Sequence, residues 1–235
     1  MTSPRPTFAQ CFTAEEPLLV AVAAHAELVR VLSGLGYPDI KIRRDGWEAI
    51  RFGPLTVLYT GVGKANAAGA LARELCFHPR YKGVVSLGIA GSYADHLPIA
   101  STVVSSRAVL ADEGTQNGES FKSFVSRSLP AFALLEHDAS GTVNTVSCIS
   151  GTAALAAEYL RRVPEALIED MELAALAGVC AQFGLPLCGL KIVSSYCGRP
   201  KTGDAATGLA RIEQIVRGWC FPVRAGEPAR NQGSS

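Results

Sequence analysis

The sequence contains little that would draw the chain to a polyanion or into a membrane. Charged residues make up 18% of it, its net charge is +1, and lysine and arginine form no run, so nothing favours nucleic acid or an anionic lipid surface. The longest apolar run near the N-terminus, residues 18–24, is too short to span a bilayer, and no small-residue cleavage site follows it. We therefore expect no nucleic-acid partner, no membrane segment and no signal peptide.

The sequence also lacks the motifs of several common enzyme classes. No Gly-x-Ser-x-Gly occurs, so the chain has no nucleophile elbow. The four histidines form neither His-Glu-x-x-His nor another tight ligand spacing, so we expect no metal and no cofactor. The seven cysteines are odd in number and form no Cys-x-x-Cys, which indicates reduced thiols in a cytoplasmic protein.

Composition and chain organisation indicate one folded domain. Hydrophobic residues make up 48% of the sequence, which is enough for a well-buried core. No Pro/Gly/Ser-rich linker interrupts residues 17–221, so we predict a single domain over that range. Residues 1–16 and 222–235 are polar and small, and we expect both to fray.

Apolar runs alternate with helical patterns along the chain, which predicts an α/β sheet covered on both faces. A Gly-Pro pair at 53–54 separates the run 47–52 from the next one and predicts a hairpin, so the sheet should be mixed. The other predicted strands are 18–23, 55–59, 83–87, 102–106, 142–149, 166–168 and 187–193, and the predicted helices are 26–35, 65–77, 152–162 and 171–183.

Two glycine-rich segments, 60–66 and 88–92, each follow a predicted strand. The first is not a Walker loop and is a poor dinucleotide fingerprint, because the required glycine and hydroxyl spacings are missing. Each segment is either a tight turn or a ligand loop. Two such turns at strand ends would lie at the edge of an open α/β sheet, where ligands bind.

The segment around Met171 and Glu172 follows an apolar run that ends in acids and precedes an alanine-rich helical pattern. The residues alone allow two interpretations. The acids could simply favour the positive end of a helix, or the Glu172 carboxylate could accept hydrogen bonds from two neighbouring hydroxyls of a sugar.

Four motifs occur in one order: TGVGKANAA at 60–68, SLGIAGSY at 86–93, ADEG at 111–114 and IEDMELAAL at 168–176. Over residues 17–218 the chain thereby resembles the nucleoside phosphorylase/nucleosidase superfamily. Within it, the motifs most resemble the futalosine hydrolases of menaquinone biosynthesis, which are close to the methylthioadenosine/S-adenosylhomocysteine nucleosidases. The resemblance implies a three-layer α/β/α sandwich with a central mixed sheet, and a homodimer.

The resemblance also implies an activity, the hydrolysis of the N-glycosidic bond of a 5′-modified purine nucleoside. Futalosine, with release of hypoxanthine, is the first expectation. A methylthioadenosine/S-adenosylhomocysteine nucleosidase, or a nucleoside-binding protein with weak or lost catalysis, are the alternatives. The residues that match the family's site are Glu27 for activating water, Met171 and Glu172 for ribose, Ile89, Ala90 and Gly91 for the sugar and base, and Cys148 and Ile149 for stacking on the base.

Two positions depart from the family's pattern. Ser195 stands where the nucleosidases carry a catalytic Asp and the futalosine hydrolases often carry Asn, so we expect Ser195 to be a weakened catalytic position. Ser86 stands where related phosphorylases carry an Arg that grips phosphate. Without that guanidinium, we expect water rather than phosphate to attack.

Overall fold

The computed structural model describes residues 8–39, 41, 47–130, 135–199, 205–219 and 229–230. Within these residues the strands are β1 (Leu18–Val22), β2 (Glu48–Arg51), β3 (Leu55–Tyr59), β4 (Gly83–Ser92), β5 (Thr102–Leu110), β6 (Gly114–Asn117), β7 (Ser120–Ser123), β8 (Ser126–Ser128), β9 (Ala139–Thr145), β10 (Ala166–Asp170), β11 (Leu187–Tyr196) and β12 (Ala229–Arg230). The helices are α1 (His25–Gly34), α2 (Lys64–Phe77), α3 (Ala153–Arg162), α4 (Leu173–Gln182) and α5 (Ala205–Gly218).

The main sheet is mixed, with the order β10-β9-β5-β11-β4-β1-β3-β2-β12 and with β8 paired to β5. Strands β1, β3, β4 and β11 are parallel, whereas β2 runs antiparallel to β3 and β5 runs antiparallel to β11. The end of β4 also pairs with β10. This extra pairing closes β4, β11, β5, β9 and β10 into a ring of five strands.

Helices cover both faces of the sheet, as the apolar strands predict. Leu18, Val20 and Val22 of β1 pack in the same cluster as the apolar side chains of α1 and α5. Leu19 and Ala21 of the same strand pack in the cluster that contains α2 and α4. Because side chains alternate between the faces of a strand, β1 is buried from both sides. The three-layer α/β/α prediction is confirmed.

Most predicted elements are present, and the differences that bear on the site or add an element are the following. Residues 88–92 are not a turn, because β4 continues to Ser92 through its pairing with β11 and β10. Strand β9 ends at Thr145 rather than at residue 149. Helix α4 begins at Leu173, so Met171 and Glu172 precede it. Helix α5 and the β6–β7 hairpin were not predicted.

Parts of both terminal segments that we expected to fray are described. Residues Phe8–Cys11 form a 3-10 helix, and Phe12 is 8% exposed within the core. Ala229 and Arg230 pair with β2. The remainder of the predicted frayed segments, 1–7, 222–228 and 231–235, lies outside the described residues.

Among the described residues, no helix is long and apolar enough to cross a membrane.

Candidate active site

A narrow cavity lies at the carboxyl ends of β1 and β3, where the sheet meets the start of α4. Its volume is about 10 Å³, which is close to the least that admits one water molecule. Its polar lining consists of Glu27, Thr60, Ser86, Glu172 and Lys191. Glu27 and Glu172, which are far apart in sequence, therefore face one space, as the resemblance implies.

Glu27 lies in the first turn of α1 and is only 4% exposed, so it is not a solvated surface acid. Its Oε2 accepts hydrogen bonds from the backbone N–H groups of Ala23 at 3.1 Å and Ala24 at 2.9 Å. Its Oε1 accepts one from Ile89 at 2.8 Å. A carboxylate has about four acceptor directions, so these bonds fix the Glu27 side chain and leave room for one more donor.

Burial raises the pKa of Glu27, although the backbone N–H groups and the charge of Lys191 partly oppose the effect. A carboxylate with a raised pKa is a stronger base than an exposed one. The arrangement can hold a water molecule and accept its proton.

Gly88 is the reason that Glu27 fits against the sheet. A Cβ built on Gly88 would lie 2.7 Å from Oε1 of Glu27, which is too close for any side chain. The glycine of the SLGIAGSY motif therefore makes room for a carboxylate inside a continuous strand. The segment 88–92 was predicted to be a tight turn or a ligand loop, whereas it is part of strand β4.

Glu172 is 8% exposed and stands immediately before α4. Its Oε1 accepts a hydrogen bond from the backbone N–H of Gly63 at 2.8 Å. Gly63 has φ of 96°, which favours glycine. The first glycine-rich segment therefore aims a backbone donor at the Met-Glu pair. Among the described residues no donor reaches Oε2 of Glu172, which leaves that oxygen for a ligand.

Burial and the nearby charge of Asp170 raise the pKa of Glu172 to about 7. Near neutral pH this group is therefore divided between its carboxyl and carboxylate forms.

Lys191 supplies a buried cation beneath the two acids. Its side chain is 3% exposed, and Nζ lies 2.8 Å from Oδ2 of Asp170 and 3.0 Å from Oγ of Ser86. Burial alone would lower the pKa of Lys191, but attraction to Asp170 and Glu172 outweighs burial and raises it. Lys191 was not predicted as a site residue. A lone lysine inside the apolar strand Leu187–Tyr196 nevertheless indicates a buried ion pair, because such a charge needs a partner.

Asp170 connects Lys191 to the start of α4. Its Oδ2 accepts a hydrogen bond from the backbone N–H of Leu173 at 3.0 Å, and Oδ1 accepts one from Thr145 Oγ1 at 2.7 Å. Both acids that flank Met171 thus have identifiable tasks. Asp170 stabilises the positive N-terminal end of α4, whereas Glu172 faces the cavity.

The other predicted site residues lie beside this cavity rather than in its lining. Ile89, Ala90 and Gly91 occupy the end of β4, and Met171 is half-buried between β10 and α4. Ser195 stands opposite Gly91 in β11, just after an irregularity in the strand pairing. The Ser195 side chain makes no hydrogen bond within the described part of the chain, and Ser195 is not among the residues that line the cavity.

Cys148 and Ile149 are exposed in the segment that follows β9, with Ile149 41% exposed. The next residue, Ser150, is buried and donates from its backbone N–H to Glu169 at 2.7 Å. Glu169 is paired with Gly91, which is paired with Ser195. The predicted base-facing residues 148 and 149 are therefore connected to Gly91 and Ser195 through Ser150 and Glu169.

The ADEG motif anchors the surroundings of the site. Asp112 and Glu113 both pair with Lys64 Nζ, at 2.6 and 2.5 Å, at the first residue of α2. Asp112 also accepts a hydrogen bond from the backbone N–H of Ser147. Burial opposes ionisation, but Lys64 and Ser147 outweigh it and lower the pKa of Asp112. The motif thus connects the glycine-rich segment before α2 to the segment after β9.

In the described ranges, no group of three or more His, Cys, Asp or Glu side chains could hold a metal ion.

Known proteins are similar to this chain in sequence and in fold. The chain is 32% identical to the futalosine hydrolase of Streptomyces coelicolor over 86% of this chain and 97% of that protein. It is 30% identical to a 5′-methylthioadenosine/S-adenosylhomocysteine nucleosidase of Geobacillus kaustophilus over 67% of this chain and 71% of that protein.

The native structure of a futalosine hydrolase of Helicobacter pylori has the same fold, with a TM-score of 0.68, 18% identity, and coverage of 87% of this chain and 94% of that one. Residues 20–216 match the family described as Phosphorylase superfamily. With four motifs in order, a shared fold and a match over most of its length, the chain belongs to the phosphorylase superfamily.

Proposed function

We propose that the chain is a purine nucleosidase that hydrolyses the N-glycosidic bond of a 5′-modified nucleoside, with futalosine as its substrate and hypoxanthine as the released base. The observation that carries this function is that Glu27 and Glu172 line one cavity. The similarity to a futalosine hydrolase over 97% of that protein's length selects the substrate.

Cleavage of an N-glycosidic bond builds positive charge on the ribose ring and negative charge on the departing base. An enzyme accelerates the reaction by binding that distribution of charge more tightly than it binds the substrate. Glu172 would accept hydrogen bonds from the ribose 2′- and 3′-hydroxyls, while the N–H of Gly63 keeps its Oε1 in place. Met171 would pack against the sugar from the adjoining position.

Glu27 would orient the attacking water and accept its proton. Three backbone N–H groups hold its carboxylate, and the raised pKa increases its basicity. A rigid base beside a one-water cavity suits a reaction in which the nucleophile must be placed before the bond breaks.

The cavity also favours water over phosphate. Ser86 is 2% exposed, and its Oγ already accepts a hydrogen bond from Lys191. Lys191 is in turn paired with Asp170. Among the described residues, no guanidinium lines this cavity in place of the phosphate-gripping Arg.

The base would lie toward Ile89, Ala90 and Gly91, against Cys148 and Ile149, with Ser195 near its ring. A serine hydroxyl can donate a hydrogen bond but is too weak an acid to deliver a full proton at neutral pH. We therefore propose that Ser195 supports departure of the base less strongly than an acid would, and that turnover is slow but real.

We further propose a cytoplasmic homodimer in menaquinone biosynthesis, which the resemblance of the motifs to the futalosine hydrolases implies. The six cysteines among the described residues form no disulfide, in keeping with a reducing compartment. Light scattering coupled to size-exclusion chromatography should give twice the mass of one chain, and a monomeric mass would contradict the dimer.

The test is base release followed by chromatography, with futalosine, methylthioadenosine and S-adenosylhomocysteine offered separately. We expect futalosine to be hydrolysed fastest. The sugar product should be the 5′-modified ribose with a free hydroxyl at C1′, and no ribose-1-phosphate should form. A rate that rises in proportion to phosphate would overturn hydrolysis. Faster release of adenine than of hypoxanthine would favour the alternative that the Geobacillus relative supports. Binding without base release would indicate a nucleoside-binding protein.

A further inference from the structure

Glu169 is a buried carboxylate that the proposed chemistry does not use. It is 3% exposed and lies on β10, two residues before Met171. In the sheet its Cα stands opposite Gly91 of β4 and opposite Asn144 of β9. Glu169 therefore lies at the seam where the ring of five strands closes.

The Glu169 carboxylate holds the segment after β9 through one residue, Ser150. Its Oε1 accepts a hydrogen bond from the Ser150 backbone N–H at 2.7 Å, and Oε2 accepts one from Ser150 Oγ at 2.7 Å. The carbonyl of Ser150 accepts a hydrogen bond from the Gly198 N–H at 2.7 Å. Each polar group of Ser150 is thereby fixed, whereas Cys148 and Ile149 just before it are exposed.

Two more groups converge on the same carboxylate. Tyr93 donates its hydroxyl to Oε2 of Glu169 at 2.6 Å. A Cβ built on Gly91 would lie 3.0 Å from Sγ of Cys197 and 3.3 Å from Cγ of Glu169, so a side chain there would crowd both groups. The end of β4, the end of β10 and the turn after β11 are therefore packed around Glu169.

Burying a carboxylate without a cation costs desolvation free energy, which its hydrogen bonds must offset. Within the described part of the chain, Glu169 has no lysine or arginine partner and is satisfied by hydroxyl, thiol and N–H donors. Burial and the charge of Glu169 raise the pKa values of Tyr93 and Cys197, so both stay protonated. Their hydrogens point at a group that accepts in several directions at once, and this fixes the geometry of the whole cluster.

We propose that Glu169 is a positioning residue that sets the separation between the base-facing segment Cys148–Ser150 and the ribose-facing pair Met171–Glu172. The inference rests on the proposed function, since it uses that function's two halves of the site. Glu169 is joined by the chain to the ribose-facing pair and by two hydrogen bonds to the base-facing segment. It thereby decides which bases fit above a correctly seated ribose.

The test separates base binding from ribose binding. Calorimetry with hypoxanthine, adenine and ribose as separate ligands is performed on the wild type, Glu169→Gln and Ser150→Ala. We expect Glu169→Gln to weaken binding of the preferred base about 10-fold, the scale of one charge-assisted hydrogen bond, and ribose binding to change less than about 2-fold. Ser150→Ala keeps its backbone N–H, so its loss should be smaller and in the same direction.

Glu165→Gln is the matched control, because Glu165 is 49% exposed and pairs with Arg107 at the surface. It should bind all three ligands like the wild type. Equal weakening of base and ribose by Glu169→Gln, or unchanged base binding in both variants, would overturn the proposal, and so would a wild type that binds neither base.

The two proposals can fail separately. A wild type that releases base, with Glu169→Gln binding base normally, removes only the positioning role. A wild type that releases no base from any nucleoside, but binds free base in a Glu169-dependent way, removes only the nucleosidase activity.

Discussion

The Glu27 carboxylate rests on the α-carbon of Gly88, so closely that a methyl group at residue 88 would lie 2.7 Å from Oε1. We predict that Gly88→Ala lowers kcat/KM on the order of 100-fold, because a displacement of about 1 Å in a catalytic group has that effect. Gly218→Ala is the control, because a Cβ there meets nothing within 4 Å. Normal activity in Gly88→Ala would mean that Glu27 is not the base.

Glu172→Gln keeps the size of the side chain but removes its charge and one good acceptor. We expect a loss of roughly 2–4 kcal/mol in transition-state stabilisation, the scale of a lost catalytic electrostatic contact. Steady-state kinetics on the true substrate measures it. Glu158→Gln changes an acid that is 44% exposed and paired with Arg162, and it should leave kcat/KM unchanged. A near-wild-type kcat/KM in Glu172→Gln would contradict the ribose assignment.

The raised pKa of Glu172 predicts opposite trends of stability and activity with pH. A carboxyl whose pKa is about 7 in the fold and 4.5 as the reference value contributes stability that is fully present below 4.5 and is lost as pH rises through 7. Denaturant unfolding should therefore show the free energy of unfolding of the wild type falling between pH 4.5 and 8, relative to Glu172→Gln. The hydroxyl-accepting anion forms over the same range, so activity should rise. Parallel pH dependence in the two proteins would refute the shift.

Lys191→Met leaves Asp170 with a buried charge and no cation. We expect the free energy of unfolding to fall by about 3–5 kcal/mol, the range for removing one partner of a buried pair. The loss should be larger at pH 8 than at pH 5, because Glu172, with its pKa of about 7, is then also a carboxylate near Lys191. The matched control is Lys82→Met, because Lys82 and Glu16 are 50% and 65% exposed and 3.7 Å apart. An exposed pair of this kind contributes about 0–1 kcal/mol. Equal effects of the two substitutions would show that Lys191 is not needed as a counter-charge.

Substitution at position 195 tests the family's missing acid. Ser195→Asp should raise base release from adenine nucleosides, because a protonated carboxyl can donate to the ring. Ser195→Asn should favour hypoxanthine nucleosides such as futalosine. Base release by the wild type and both variants, on both classes of nucleoside, decides the matter. If neither substitution alters rate or preference, Ser195 does not face the base.

The order of the central strands and of helices α1 to α4 could be read from the sequence, because those strands are apolar runs and those helices have a helical period. The boundary at Met171 could not, since an acid-rich helix start and an acid aimed into a cavity have the same local pattern. The difference depends on Gly63, whose N–H reaches Glu172 from a segment 109 residues away. Contacts of that range leave no periodic signal.

Individual site residues divide in the same way. Glu27, Glu172 and the glycines came from motif resemblance, and the cavity brings Glu27 and Glu172 together. Lys191 was missed because it lies outside the four motifs, and Glu169, although it lies inside one of them, was interpreted only as an acid at the start of a helix. Helix α5 was also missed, although Leu209, Ile212 and Val216 recur at helical spacing. A glycine at residue 208 weakens that pattern. The fold favours glycine there, because a Cβ would lie 3.2 Å from Ser194 and 3.3 Å from Ile89.

Closure of five strands into a ring through β4 and β10 limits the backbone motion of the strands beneath the site. The strand that leads to Met171 is hydrogen-bonded along both edges where it meets Gly91 and Asn144, so we expect its amide hydrogens to be among the slowest to exchange with solvent. Motions that admit a nucleoside on the microsecond to millisecond scale must then occur in the connecting segments. The exposed residues Cys148 and Ile149 belong to one of them, while the floor of the site stays fixed.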